Sequence, residues 1–276
     1  MRMERWMSWL MLVLGLTLGL SVSAQELILG INEGVSYRST SNVKERYKAL
    51  SEDLSRLLKR RVVPEAVENY QTLGQGLASG RYALAYVHPA HYALRAMASD
   101  GYRLVALTKG YTEYRARFLV RADSTLKSLV ELRGRRVGTP DADSITAVLT
   151  RATLRDALKD QAGSVIYQPT RYQDAIPFMV EHGFADTGAT AAESVIQDWI
   201  SRGGRILAIS KPVPIKYMLA SRAAINDAEL ERLQAYFIGL DGSTPDKVKV
   251  LSGIGQAGFV GFDAAVLLQI GNWLQQ

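Results

Sequence analysis

The residues best suited to chemistry lie in Gly138-Thr139-Pro140-Asp141-Ala142-Asp143-Ser144-Ile145-Thr146-Ala147, between an apolar strand signal and a long helical pattern. Two hydroxyls, Ser144 and Thr146, flank Ile145, and Asp141 and Asp143 stand just upstream. The periodic Ile145, Val148, Leu149, Ala152, Leu154 and Leu158 mark a helix with Asp143 or Ser144 as its N-cap. The first amides of such a helix have no partner within it and carry the positive end of its macrodipole. Hydroxyls beside them make a cradle for an anion. An ordinary capped helix is the competing reading, because Ser and Asp are favoured N-caps in any helix. A second group is His88-Pro89-Ala90-His91-Tyr92, at the end of a strand pattern. Loops after strand C-termini line the cleft of open α/β sheets, which favours a ligand contact by His88 or Tyr92. With only His182 elsewhere and no cysteine, His88 and His91 fall short of a ligand set, and no metal is expected. Tyr37, Tyr92, Tyr111, Tyr114 and Tyr172 offer rings and hydroxyls, with plain packing the alternative for each.

These residues need elements to position them. Residues 26–31 read as a strand, Asn32-Glu33-Gly34 as a turn, and 41–59 as a helix with Tyr47, Leu50, Leu54, Leu57 and Leu58 on one face. Strand, loop and helix then alternate through strands at 62–67, 82–87 and 102–108, with helices at 70–78 and up to 98. An extended run at 114–120 crosses to a second series: a strand at Val137, the loop and helix described above, a strand at 165–168, a helix at 172–181 and an apolar strand at 184–189. A helix after Ala191 and a strand at 205–209 complete that series. Lys211-Pro212-Val213-Pro214 interrupts the pattern, and an extended 215–220 returns the chain to the first series. Two helices, at 227–239 and 263–274, finish the chain. Such alternation implies mostly parallel sheets in an α/β protein.

The composition fits a globular chain of 276 residues, 47% hydrophobic and 22% charged, large enough for two lobes. Net charge is +6, but acidic and basic residues are interspersed and no basic run tracks a nucleic-acid backbone, so no nucleic-acid partner is expected. The absence of cysteine excludes disulfides, thiolate catalysis and thiolate metal sites. At the N-terminus, Arg2 and Arg5 precede a nearly unbroken apolar run from Leu10 to Leu20, and Val22-Ser23-Ala24 has the small residues a signal peptidase cuts after. Residues 1–24 are therefore read as a cleaved signal peptide. An uncleaved anchor is the alternative, since the run approaches the ~20 residues that span a bilayer.

Arg121-Ala122-Asp123-Ser124, Lys127-Ser128-Leu129, Leu132-Arg133-Gly134-Arg135-Arg136-Val137 and the 141–146 loop resemble, in order and spacing, the periplasmic binding proteins of phosphate, phosphite and phosphonate ABC transporters. Supporting matches are Ser79-Gly80, Pro89-Ala90-His91-Tyr92, Ala185-Asp186-Thr187-Gly188-Ala189, Gly258-Phe259 and Asp263, so the resemblance spans nearly all of the chain beyond the signal peptide. It implies a type II periplasmic-binding-protein fold, two α/β lobes joined by two crossing strands with a ligand cleft between them. Lobe 1 would comprise 25–112 plus 215–276, and lobe 2 113–214. In that family the loop is a Ser-Thr-Ser that grips an oxyanion. Ser144 and Thr146 match its outer hydroxyls, whereas Ile145 replaces the middle one and Asp143 stands where the family usually has Gly. Gln173 occupies the place of a family histidine, and Thr190 lies where an acidic residue often meets a substrate amine. With Tyr37, Asp141, His88, Tyr92 and Asp186, these are the expected ligand-binding residues.

The resemblance implies a monomeric periplasmic protein that captures a small, oxyanionic ligand and delivers it to an inner-membrane ABC permease, without cofactor or catalysis. A ligand-sensing role for a membrane histidine kinase, or an enzyme on the same fold, are the alternatives. The enzyme reading lacks a recognisable nucleophile and base pair.

Overall fold

The computed structural model describes residues 26–34 and 42–275. Tyr37 and the signal-peptide segment lie outside the described residues. The strands are β1 (Leu27–Ile31), β2 (Val62–Ala66), β3 (Leu84–Val87), β4 (Tyr102–Thr108), β5 (Arg117–Val120), β6 (Arg136–Thr139), β7 (Ile166–Pro169), β8 (Thr187–Thr190), β9 (Arg205–Ile209), β10 (Tyr217–Ser221) and β11 (Phe259–Val260). The helices are α1 (Val43–Arg46), α2 (Lys48–Leu58), α3 (Tyr70–Ala78), α4 (Ala90–Ser99), α5 (Ile145–Leu158), α6 (Ile176–Glu181), α7 (Glu193–Ser201), α8 (Asp227–Ile238), α9 (Pro245–Ile254) and α10 (Ala264–Gln275). None of them is long and apolar enough to cross a membrane.

The strands form two sheets, ordered β11-β4-β10-β3-β1-β2 and β7-β6-β8-β5-β9. The chain runs between them twice, and the two crossings meet where the Tyr114 and Val213 backbones exchange hydrogen bonds of 3.0 and 3.1 Å. Within each sheet the sequential strands run parallel: β1 with β2 and β3, and β6 with β7 and β8. The sequence pattern does not reveal that the first strand after each crossing, β5 or β10, lies antiparallel to both neighbours. A chain entering a lobe from the cleft meets the sheet at its C-terminal edge and has to run against it.

Helix boundaries follow local chemistry. Ser144 caps α5, its Oγ accepting from the Ala147 amide at 3.1 Å. Asn226 and Glu229 form a reciprocal capping box on α8. Helix α9, absent from the sequence reading, starts at a Thr244 cap with Pro245 in the first turn and stops at Gly255, whose left-handed φ of 66° favours a residue without Cβ. The helix expected over 41–59 is two pieces, divided at Tyr47.

Two buried clusters fill the first sheet's surroundings. The second of these also takes in Ile145, Val148, Leu149 and Ala152 from α5, together with Leu94 of α4 and Leu267 and Leu274 of α10. The other face of α5, through Leu154 and Leu158, joins the core of the second sheet with Phe118, Val137 and Ala189. Gly188 in β8 lets α6 approach closely: a Cβ there would lie 2.5 Å from Ile176 Cγ2 and 2.9 Å from Val180 Cγ2. Gly188→Ala is expected to destabilise the protein by about 1–3 kcal/mol through overpacking, read as a lower urea midpoint at unchanged slope.

Candidate functional site

The C-terminal ends of β3, β6 and β7 and the N-termini of α3 and α5 converge on a cavity of about 90 Å³ between the lobes. It is lined by Tyr70 and His88 from the first lobe, Tyr114 from a crossing segment, and Pro140, Asp141, Ser144, Ile145, Thr146, Arg171, Tyr172 and Gln173 from the second. Water's share of liquid volume is about 30 Å³, so the space suits a small ligand group.

The second-lobe wall is built by α5. The amides of Ile145 and Thr146 are its first two and have no partner within the helix. The Ser144 hydroxyl accepts from the Ala147 amide and keeps its own proton to donate. Thr146 is fully buried, and its Oγ1 lies 2.7 Å from the Tyr114 hydroxyl. Gln173 supports Tyr114 from behind. The Ala191 amide donates to Gln173 Oε1 at 2.6 Å and the Thr190 hydroxyl does so at 3.0 Å, which fixes the amide orientation and turns Nε2 toward Tyr114 at 3.3 Å. Tyr114 accepts from Gln173, and either hydroxyl can donate in the Tyr114–Thr146 pair; with the phenol as donor, the Thr146 proton is free for a ligand. Burial raises the Tyr114 pKa, so this phenol stays protonated.

Charge at the cavity comes from Arg171, which lies against the Tyr172 ring at 5.1 Å, and from Asp141. One Asp141 oxygen already accepts from the Asp143 amide at 2.9 Å. Asp143, the carboxylate standing in the family's glycine position, is exposed and is not among the residues that line the cavity. Across the cavity, His88 Nδ1 lies 3.0 Å from the Ile215 carbonyl oxygen.

Of the expected ligand residues, the structure brings Asp141, Ser144, Ile145, Thr146, His88 and Gln173 to one cavity. Thr190 sits behind Gln173 and orients it rather than lining the space. Tyr92 is one ring removed, with its centroid 6.0 Å from that of Tyr70. Asp186 requires correction. It precedes β8 at the sheet's N-terminal edge, away from the cleft, and its carboxylate accepts from the Arg136 backbone amide at 2.8 Å. Burial works to raise its pKa, but the Arg136 bonds and the Arg136 and Arg135 charges outweigh burial and hold it below the usual range. Tyr70 and Arg171 escaped the sequence reading as site residues. Arg171 lies two residues beyond the end of β7, so the rule that loops beyond strand C-termini line the cleft was the available signal.

A family model for the ABC transporter, phosphonate, periplasmic substrate-binding protein matches residues 34–267. The chain belongs to this family. Its members are transport-associated solute-binding proteins rather than enzymes. Among solved structures, XAC2383 from Xanthomonas citri bound to ATP is 20% identical with a TM-score of 0.71, covering 91% of this chain and 97% of that one. PhnD1 from Prochlorococcus marinus in complex with methylphosphonate is 15% identical, TM-score 0.63, covering 90% and 96%. A binding protein component of an ABC phosphonate transporter from Pseudomonas aeruginosa is 18% identical, TM-score 0.56, covering 90% and 85%. At these identities the likeness establishes the fold, that of type II periplasmic binding proteins.

Burial, the first cause in each case, pushes His88 down to about 4 and His91 to about 3 from the ordinary 6.5. Lys216 adds to the effect at His88, and His88, Arg151 and Arg95 add to it at His91. A histidine held neutral in the folded state stabilises above its unfolded pKa. On acidification the unfolded chain takes up the proton first, so this stability is lost as pH falls from 6.5 toward 4. The expected cost is on the order of 2–3 kcal/mol per ring by about pH 4.5. In NMR titrations both Cε1 protons should stay unmoved from about pH 8 to pH 5. A midpoint near the ordinary value for either ring would contradict the burial argument.

Proposed function

We propose that this protein is the periplasmic receptor of an ABC importer, capturing a phosphonate-class oxyanion between lobes formed by residues 25–112 plus 215–276 and 113–214. Residues 1–24 act as a cleaved export signal, and the mature protein works as a monomer that hands its ligand to an inner-membrane permease. The observation that carries this reading is the meeting, at one interlobe cavity, of the α5 N-terminus, the Ser144 and Thr146 hydroxyls and the Arg171 side chain. Amides at a helix start, hydroxyl donors and a guanidinium are what an oxyanion needs, since hydrogen bonds to a charged group are about twice as strong as neutral ones. The family membership supports the same role, and methylphosphonate in PhnD1 supports the ligand class.

Two substitutions test the site by calorimetric titration with methylphosphonate. Thr146→Val keeps the shape of the buried side chain but removes its proton, and is expected to weaken binding by roughly 1.5–3 kcal/mol. Ser144→Ala removes the cap as well as a donor, so it should lower folding stability by about 1 kcal/mol in addition to weakening binding. If methylphosphonate binds both variants as tightly as the parent, the oxyanion does not sit at α5 and the reading fails.

A further inference from the structure

The second-lobe wall of the cavity carries donors, and the first-lobe wall carries a histidine with one nitrogen that can only accept. His88 follows β3 and lines the cavity from the first lobe. Its Nδ1 lies 3.0 Å from the carbonyl oxygen of Ile215, and a carbonyl oxygen has no proton to give, so Nδ1 carries the hydrogen. In the neutral ring Nε2 is then a bare lone pair. Burial keeps the ring neutral at physiological pH. The orientation is held from the other side by Gly34, whose φ is +89°; a Cβ there would stand 2.3 Å from Cδ2 and 2.8 Å from Nε2. Turning the ring over would sacrifice the Ile215 bond. Among the described residues nothing donates to Nε2, and it is not among the buried atoms closed off from a partner.

From this geometry we propose that the bound ligand is an oxyanion that still carries one proton of its own, a P–OH group, and that this hydroxyl donates to His88 Nε2. The proposal rests on the oxyanion-capture reading above and narrows it. With its ionised oxygens on the Ile145 and Thr146 amides and the Thr146 hydroxyl, such a ligand satisfies both walls without any proton changing owner. A sulfonate has only lone pairs to offer Nε2 and leaves that acceptor unsatisfied.

The experiment compares methylphosphonate, methanesulfonate and taurine by calorimetric titration on the protein purified from periplasmic extract, at one neutral pH. Methylphosphonate and methanesulfonate match closely in shape, and only the first can bear a proton on its oxyanion. Methanesulfonate is expected to bind roughly tenfold or more weakly than methylphosphonate, the cost of an unsatisfied buried acceptor. In His88→Leu the difference should shrink to within about threefold, because the acceptor is gone. The wild-type comparison stands without the variant if His88→Leu fails to fold. Equal binding of methylphosphonate and methanesulfonate by the wild type would overturn the proposal and leave oxyanion capture intact. Discrimination surviving undiminished in His88→Leu would also overturn it, by moving the acceptor elsewhere. Tight taurine binding alongside weak methanesulfonate binding would overturn it by placing the donor on the substituent. If none of the three anions binds, the capture reading falls and this proposal falls with it. A ¹⁵N spectrum of His88 in the methylphosphonate complex provides a check independent of affinity: a neutral ring is expected, and an imidazolium would refute the proposal.

Discussion

Helix α5 is buried on two faces at once, and the positions of the other site residues follow from this. Its first two turns present Ile145, Val148, Leu149 and Ala152 to the apolar cluster that holds α4 and α10, while Leu154 and Leu158 pack into the core of the second sheet. A helix apolar on one side only could slide or roll against its lobe. One gripped from both sides cannot do so without exposing core side chains, each of which contributes about 1.5–3 kcal/mol when fully buried. The ends of the grip are tied by polar contacts: the Arg155 guanidinium donates to the Trp273 carbonyl, and Asp156 accepts from Trp273 Nε1 at 3.0 Å and from Lys211 at 2.8 Å. The consequence is local. The amides and hydroxyls at the start of α5 are thereby set on the second-lobe wall of the cavity, opposite His88 and Tyr70 of the other lobe.

The donor wall is also rigid, for a different reason. The Ala191 amide can only donate, so it dictates which end of Gln173 faces Tyr114 and makes the Tyr114 oxygen an acceptor of the Gln173 Nε2 proton. Chains of hydrogen bonds away from water polarise one another, so a ligand accepting from Thr146 strengthens each bond behind it. Gln173, where the family has a histidine, bonds in two directions. Its two ends do different work, with the oxygen anchored on β8 and its flanking loop and the nitrogen serving the site.

How much of this was legible depended on how local the causes are. The 3.6-residue period and the Ser144 cap made α5 readable, because both signals lie within its own sequence. Asp186 was misplaced because a short apolar run does not say at which edge of a parallel sheet its flanking residue emerges; four residues from Thr187 to Thr190 separate the two edges. The antiparallel β5 and β10 were invisible for a related reason, since strand direction is set by the side from which the chain enters each lobe. Helix α9 has a cap and a stop of ordinary strength, and it went unread beside the stronger pattern of α8. Tyr70 and Arg171 come from different lobes and meet only because the lobes face each other, which no local pattern encodes.

Tyr114 joins the site to the hinge. Its backbone pairs with Val213 in the opposite crossing segment, while its hydroxyl belongs to the network that presents Thr146. A motion that widens the cavity has therefore to respect two constraints. Separating α5 from α4 and α10 would expose Ile145, Val148 and Leu149 to water, at about 1.5–3 kcal/mol for each side chain. Twisting the crossings apart would break the Tyr114 and Val213 pair. A rotation that keeps the α5 and α10 contact closed, with the crossings as its axis and the His88 side of the cavity moving away from the α5 N-terminus, violates neither. Along that path His88 parts from whatever the α5 amides hold, so a ligand that touches both walls opposes the opening, and one held by α5 alone does not.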